Sequence, residues 1–306
     1  MRYWIGITDY EWYRFLAARP ELPEVNFWQP SAGRQPARLE AGQLFLFKLH
    51  APQGGWIVGG GWFLKYEAMP IRWTWDAFGE ENGAATFEEM VLRIGKYRPT
   101  RPDIHAERVG CTVLVEPFFL DESEWIAPPA DWAPNIVQGK FYDSELGEGM
   151  RIWNQVQLAL ARRMPAAEGR VAESRYGKPL LVHPRLGQGA FRLLVTDAYE
   201  RRCAVTGERT LPALDAAHIK PYADSGPHEL RNGLLLRKDL HALFDAGYVT
   251  VTPSFELRVS RRIREEFENG RDYYALQGAS VRLPLPPAPP PSTEYLEWHG
   301  DVRFRG

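Results

Sequence analysis

The chain has 306 residues, of which 44% are hydrophobic and 25% are charged. This composition is typical of a globular protein and excludes a disordered chain, and the length is enough for two domains of ordinary size. Cysteine occurs only at Cys111 and Cys203, which excludes a disulfide scaffold and a four-cysteine zinc site. Because no apolar run reaches about 18 residues and no apolar leader segment opens the chain, we expect a cytoplasmic protein with no membrane partner.

Charge and tryptophan are unevenly distributed along the chain. Residues 1–150 carry a net charge of −7, whereas residues 151–306 carry +5. Ten of the eleven tryptophans precede residue 154. A basic half is compatible with phosphate contacts, although so small an excess does not establish nucleic-acid binding. The two halves are therefore predicted to be differently built modules.

The first 150 residues combine strand and helix patterns. Thr86, followed three residues later by Glu89, is a capping-box pattern that predicts a helix over residues 86–96, and a short helix follows Asp9. Glycines within residues 56–64 predict a bulge or a close backbone approach. Apolar alternation predicts strands at residues 3–7, 44–49, 56–64 and 111–115. We expect an α+β domain, a small β-barrel with helices at its rim.

The remaining chain divides into a linker and a second domain. A helix is predicted over residues 151–163, and the proline- and glycine-rich segment 164–190 has the composition of a hinge. A further helix is predicted over residues 191–201. The predicted domains are 1–150, a helical linker and hinge at 151–190, and 191–306.

The most informative residues lie in two stretches, Leu214–Pro221 and Arg231–Gly247. The first predicts a short strand with His218 near its end. Asn232-Gly233 suits a tight turn with positive φ, and Asp239 is a good N-cap for a helix with His241 in its first turn. We therefore expect His218, Asn232 and His241 to meet between a hairpin and one helix.

These stretches resemble the HNH nuclease motif on the ββα-metal fold, over roughly residues 191–253. The similarity is to the subgroup whose strand reads Ala-Ala-His-Ile and whose helix reads Asp-Leu-His-x-Leu-Phe-Asp. The resemblance implies that His218 is the general base, since a near-neutral pKa lets imidazole accept a proton from water. It implies that Asn232 hydrogen-bonds across the hairpin and that His241 binds one divalent cation, Mg²⁺ or Mn²⁺, with Zn²⁺ or Ni²⁺ as alternatives.

The carboxylate ligand of that cation is left open by the sequence. Many HNH proteins carry an aspartate or histidine ligand just before the base, where this chain has Ala217. Asp215 is the nearest carboxylate and could bind the cation if the strand bulges there; it could equally support His218 or be a polar strand end. Asp245 lies four residues after His241, on the same helix face, and is the second candidate.

Other polar residues are weaker candidates. The stretch from Arg185 to Arg192 resembles one that precedes the motif in related HNH proteins. Phosphate contacts are predicted for Arg185, Gln188, Arg192 and Lys220, with a solvated helix end as the alternative for the helix start. No pattern supports a special role for the remaining histidines, which are His50, His105, His183, His228 and His299.

The first module resembles the EVE branch of the PUA-like superfamily, through Tyr3–Thr8, Phe27–Pro30 and Leu39–Phe47. That superfamily includes domains that bind modified bases, and the resemblance implies a flipped base held between aromatic faces. Base flipping costs a few kcal/mol, which aromatic stacking of ~1–3 kcal/mol per base helps to offset. Candidate stacking residues are Trp28, Trp56, Trp62, Trp73 and Trp75, and candidate base-edge contacts are Asn26, Gln29 and Asp76.

Together these features predict a modification-dependent restriction endonuclease acting on double-stranded DNA that carries 5-methyl- or 5-hydroxymethylcytosine. A homodimer is compatible with this function, because one HNH site cuts one strand. Two alternatives stay open. One is a non-specific effector or toxin nuclease, and the other is a protein that binds modified nucleic acid through an HNH remnant that no longer cuts.

Overall fold

The computed structural model describes residues 1–32, 38–98, 103–104, 106–163 and 186–306. The chain divides into two compact units, Met1–Pro184 (unit 1) and Arg185–Gly306 (unit 2). Both units mix helices with strands. Within the described ranges, no helix combines the length and the hydrophobicity that a membrane crossing requires.

Unit 1 is built on one six-stranded sheet with the order β2-β5-β4-β3-β1-β6, in which β1 and β3 are parallel and the other neighbours are antiparallel. The strands are β1 (Arg2–Thr8), β2 (Glu24–Gln29), β3 (Leu44–Leu49), β4 (Ile57–Pro70), β5 (Arg108–Phe119) and β6 (Gly139–Asp143). The helices are α1 (Tyr10–Ala17), α2 (Ile71–Phe78), α3 (Phe87–Gly95) and α4 (Gly147–Arg163).

Both faces of this sheet are covered by apolar side chains. Neighbouring residues of a strand point to opposite faces. Ile5 accordingly packs in one core with Ile152 of α4, while Trp4 packs in another core with Trp12 of α1. Burial on both faces explains why these strands are nearly continuous apolar runs.

The expected closed barrel is not found in the part of the chain that the structure describes. The six strands form an open sheet with β2 and β6 at its edges. The sheet is curled, because Phe27 of β2 packs on Phe45 and Phe47 of β3, three strands away. The bulge predicted from the glycines of β4 is confirmed, because the pairing of β4 with β5 shifts between Gly60 and Trp62.

Two helices of unit 1 bear on the sequence predictions. The N-cap of α3 is confirmed, because the Thr86 side chain accepts a hydrogen bond from the Glu89 amide. The Glu89 carboxylate accepts its hydrogen bond from the Ala85 amide, one residue before the N-cap. Helix α4 begins before residue 150 and buries Ile152 and Val156 completely, so it belongs to the core of unit 1 rather than to a linker. Most of the predicted hinge lies outside the described residues, and residues 188–190 instead begin the next helix.

Unit 2 contains two antiparallel hairpins, β7 with β8 and β9 with β10. The strands are β7 (Leu214–His218), β8 (Gly233–Arg237), β9 (Val249–Val251) and β10 (Leu257–Val259). The helices are α5 (Gln188–Ala198), α6 (Lys238–Asp245), α7 (Arg262–Phe267), α8 (Arg271–Tyr274) and α9 (Thr293–Trp298). One apolar core joins α5, α6 and both hairpins, through residues such as Phe191, Leu235 and Phe244.

Candidate active site

The first hairpin places its residues in a regular register. Leu214 pairs with Arg237 and His218 pairs with Gly233, and the three pairs between them are uninterrupted, so the strand does not bulge at Asp215. Gly233 has an extended backbone with φ −119°, which corrects the prediction of a tight turn. A Cβ at Gly233 would lie 2.4 Å from Cγ2 of Val195. The glycine therefore serves the close packing of α5 on the hairpin.

His218 lies at the end of β7 against an aromatic ring. Its imidazole stacks on Phe191 of α5, with ring centroids 3.9 Å apart and planes 11° from parallel. Burial, helped by the nearby charges of His228 and His241, lowers the pKa of His218 to about 4. His218 is therefore neutral at neutral pH and keeps a lone pair that can accept a proton.

Asn232 is fully buried and holds the loop that follows β7. Its Oδ1 accepts a hydrogen bond from the Lys220 amide at 2.8 Å, and its Nδ2 donates to the carbonyls of Lys220 at 2.8 Å and Pro227 at 2.9 Å. Both ends of the segment from Lys220 to Pro227 are thus tied to one side chain. At Gly226 a Cβ would lie 1.8 Å from the Lys220 carbonyl oxygen, so only glycine fits this turn.

His241 lies between two carboxylates. Its Nδ1 is 3.2 Å from Oδ2 of Asp215 on β7, and its Nε2 is 3.3 Å from Oδ2 of Asp245 on its own helix. Burial disfavours the charged imidazole, but the hydrogen bond to Asp215 and the charges of Asp245 and Asp215 outweigh it, and the pKa of His241 is raised. Burial alone would raise the pKa of Asp215, yet the contacts with His241 and Arg192 lower it.

The resemblance to HNH nucleases implies a divalent cation, and the donors here suit one in part. Asp215 and His241 offer a carboxylate and an imidazole in direct contact, a donor pair that Mg²⁺, Mn²⁺ or Zn²⁺ accepts. Asp245 contacts the opposite nitrogen of the same ring, so one cation bound to His241 can be shared with Asp215 or with Asp245, but not with both. Across the described residues, no three His, Cys, Asp or Glu side chains are grouped as a metal site.

The N-cap of α6 differs from the prediction. The helix begins at Lys238 with Arg237 as its N-cap residue, and Asp239 lies inside the first turn. Its carboxylate accepts a hydrogen bond from Nε of Arg237 at 2.9 Å and also interacts with the backbone amide of Leu240. His241 is nevertheless in the first turn of the helix, as expected.

A histidine that the sequence did not single out contacts the candidate base. Nδ1 of His228 lies 2.9 Å from Nε2 of His218, and the two rings are 73° apart in plane. Tyr222 stacks on the other side of His228 at a centroid distance of 5.1 Å. The sequence gives no pattern that singles out His228, and its contact with His218 is seen only in the structure.

The four residues that were predicted to bind phosphate do not share one environment. Arg185 lies outside the described residues. Gln188 is exposed at the start of α5, where a backbone phosphate could reach it. Arg192 instead reaches Asp215, at 3.4 Å between Nη2 and Oδ1, and Nζ of Lys220 lies 5.5 Å from the centre of the Trp298 ring.

Unit 1 contains a cavity of about 210 Å³ at the end of β2. This is below the ~300–1,000 Å³ of pockets for drug-sized ligands, so it suits a small ring system. At its wall the Asp9 carboxylate accepts a hydrogen bond from the Tyr97 hydroxyl at 2.7 Å and lies 3.3 Å from Nε2 of His50. Other lining residues include Trp12, Phe27, Trp28, Gln29 and Gln138.

Of the residues predicted to contact a base, Trp28 and Gln29 line this cavity. The others do not, for reasons that the packing explains. Asn26 is fully buried and donates to Oδ1 of Asn82. Trp62 packs on Phe118. Trp73, Trp75 and Asp76 lie on α2, where Asp76 pairs with Arg72, and Trp56 is 38% exposed beyond β3.

Comparison with known proteins places the candidate site in a family. Residues 203–252 match the model of the HNH endonuclease family. An ASCH protein from Zymomonas mobilis is 12% identical over 49% of this chain and 94% of its own, with a TM-score of 0.31. The modification-dependent TagI restriction endonuclease is 15% identical over 93% of this chain and 76% of its own, with a TM-score of 0.30. The comparison with curated proteins found no match.

The matched residues span β7, the loop tied by Asn232, β8 and α6, and they contain His218, Asn232 and His241. The chain therefore carries an HNH endonuclease domain at residues 203–252.

Proposed function

We propose that this protein is a modification-dependent DNA endonuclease. Unit 1 would hold a flipped 5-methyl- or 5-hydroxymethylcytosine, and unit 2 would hydrolyse phosphodiesters of the same double-stranded DNA. The observation that carries the proposal is the arrangement of His218 within the HNH domain. A base kept neutral by burial lies on the same hairpin as Asp215, whose carboxylate contacts His241.

The residues of unit 2 supply the main requirements of phosphodiester hydrolysis. The reaction needs a base for the attacking water and positive charge for the phosphate and the departing oxygen. His218 is the base, and Arg192 adds a positive charge beside Asp215. Asp215 and His241 would hold the divalent cation, which when bound neutralises the developing negative charge. Asp245 holds the His241 ring from the other side.

The cavity of unit 1 supports the base-binding half of the proposal. Trp12, Phe27 and Trp28 give it aromatic walls, and aromatic faces stack on bases without regard to sequence. The Asp9 carboxylate is an acceptor of the kind that pairs with the exocyclic amino group of cytosine. The resemblance of β1 and β2 to the EVE pattern points to the same ligand. Because one HNH site cuts one strand, cleavage of both strands would use two copies of the chain.

The test is cleavage by the purified full chain in Mg²⁺ or Mn²⁺. Duplexes of one sequence carry cytosine, 5-methylcytosine or 5-hydroxymethylcytosine. We expect cleavage of modified DNA alone, and we expect His218→Ala to abolish it while binding of modified DNA persists. Cleavage of all three duplexes would instead identify a non-specific nuclease. Binding to modified DNA without cleavage under any metal would identify an inactive remnant.

A further inference from the structure

The contact between His218 and His228 constrains the proton on the candidate base. Nε2 of His218 and Nδ1 of His228 are 2.9 Å apart, a hydrogen-bond distance. Burial lowers the pKa of both imidazoles, so both are neutral at neutral pH. Each neutral ring carries one proton and one lone pair. A single proton therefore lies between the two nitrogens, and it belongs to one ring or to the other.

The two arrangements have different consequences for His218. If His228 donates, the lone pair of His218 is occupied at Nε2 and its own proton is on Nδ1, so no lone pair is left for water. If His218 donates from Nε2, its lone pair is on Nδ1. Among the described residues, no hydrogen bond reaches that nitrogen. Only the second arrangement leaves His218 able to act as a base.

We propose that His228 is a positioning residue, whose Nδ1 accepts the Nε2 proton of His218 and so fixes the tautomer with a free lone pair on Nδ1. In this arrangement Nδ1 of His218 takes the proton from water, and the O–H bond breaks as the N–H bond forms. The Nε2–H of the resulting imidazolium stays directed at His228. The inference deepens the proposed nuclease function and rests on it for the role of His218 as base.

The contacts around His228 fix the position of its ring next to His218. Its ring is packed between Tyr222, stacked at 5.1 Å and 18°, and Phe191, edge-on at 5.9 Å. The preceding residue, Pro227, is bound through its carbonyl to Asn232. The loop is thus fixed at the point from which His228 reaches His218.

Two variants distinguish the effect of the hydrogen-bond acceptor of His228 from the effect of its aromatic ring. His228→Phe keeps an aromatic ring between its neighbours but has no acceptor. His228→Asn loses the ring but keeps an acceptor, Oδ1, bonded to the same Cγ position as Nδ1. A purely structural role predicts that the phenylalanine variant is the better tolerated of the two. The positioning role predicts the opposite.

The first measurement is the nitrogen-15 spectrum of the full chain labelled at histidine, with His218 assigned by its loss in His218→Ala. We expect Nε2 protonated and Nδ1 bare at neutral pH in the wild type and in His228→Asn. In His228→Phe we expect the two tautomers to mix. A wild-type spectrum with the proton on Nδ1 of His218 would overturn the inference, whether or not the protein cleaves DNA.

The second measurement is single-turnover cleavage of modified DNA. General base catalysis contributes about 10²–10⁴ to a rate, so we expect His228→Phe to lower the maximal single-turnover rate constant by about tenfold or more, with little change in the enzyme concentration that gives half of that rate. His228→Asn should recover most of the rate. Equal rates for His228→Phe and the wild type would refute the positioning role, whereas absence of cleavage by the wild type would refute the nuclease and leave the spectrum to decide on the tautomer.

Discussion

Replacing Asn232 by alanine is the sharpest test of how the site is held. The side chain is fully buried and makes three hydrogen bonds, one accepted from the Lys220 amide and two donated to the carbonyls of Lys220 and Pro227. An unsatisfied buried polar group costs ~1–3 kcal/mol. Lys220 and Pro227 are only half-buried, so water reaches part of the site. We therefore expect Asn232→Ala to lower the free energy of unfolding of unit 2 by about 2–4 kcal/mol.

The assay is urea-induced unfolding of the full chain, together with native-state hydrogen exchange at the Lys220 amide. Asn269→Ala is the matched control, because Asn269 is exposed in the same unit and should change stability by less than about 0.5 kcal/mol. Asn232→Asp should be at least as destabilising as Asn232→Ala, since its second oxygen would face two carbonyl oxygens. A stability loss below about 0.5 kcal/mol for Asn232→Ala, with the Lys220 amide still protected, would refute this account of the loop.

Three further predictions follow from the same contacts. The folded state lowers the pKa of His218 from 6.5 to about 4, so its contribution to stability is present above pH 6.5 and is lost as the pH falls toward 4. A pH series of unfolding free energies should show a weaker dependence in His218→Gln, and part of the remainder comes from His299, whose pKa burial also lowers to about 4. Asp215→Asn should weaken Mn²⁺ binding, measured by calorimetry, more than Asp245→Asn does, because in the proposed site Asp215 binds the cation itself whereas Asp245 orients the His241 ring. The reverse order of effects would exchange the roles of the two carboxylates. Trp28→Ala should weaken binding of modified DNA by ~1–3 kcal/mol, whereas Trp73→Ala, outside the cavity, should not; equal effects would argue against the cavity as the base site.

The sequence predicted the elements of the site better than their local details. The spacing of the two motif stretches indicated a strand, a hairpin and a helix, and β7, β8 and α6 lie where those were expected. Asn232-Gly233 and Asp239 each fit a common local role, a turn and an N-cap, that the fold does not use. At Gly233 the missing side chain makes room for Val195, and at Asp239 a neighbouring arginine takes the carboxylate. Local propensity could not anticipate either partner.

The architecture of unit 1 shows a similar limit. Apolar alternation and glycines located β1, β3, β4 and β5, because these signals are local. Whether such strands close into a barrel depends on pairing between the two edge strands, and in the described part of the chain β2 and β6 are not paired. Helix α2 and strand β6 were not predicted at all. Their residues are half-polar and are fixed by tertiary contacts, such as the pairing of Tyr3 with Tyr142 across β1 and β6.

The contact of His228 with His218 could not be predicted from the sequence. His228 is ten residues from His218, in a loop with no periodic pattern, so spacing gives no reason to join the two rings. What joins them is Asn232, which binds both ends of that loop and leaves His228 beside the base. We therefore expect Asn232 to act on the proposed chemistry through the loop, because its side chain binds the backbone of Lys220 and Pro227. If this is correct, Asn232→Ala should disturb the His218 tautomer in the same direction as His228→Phe, because each removes the acceptor from its place.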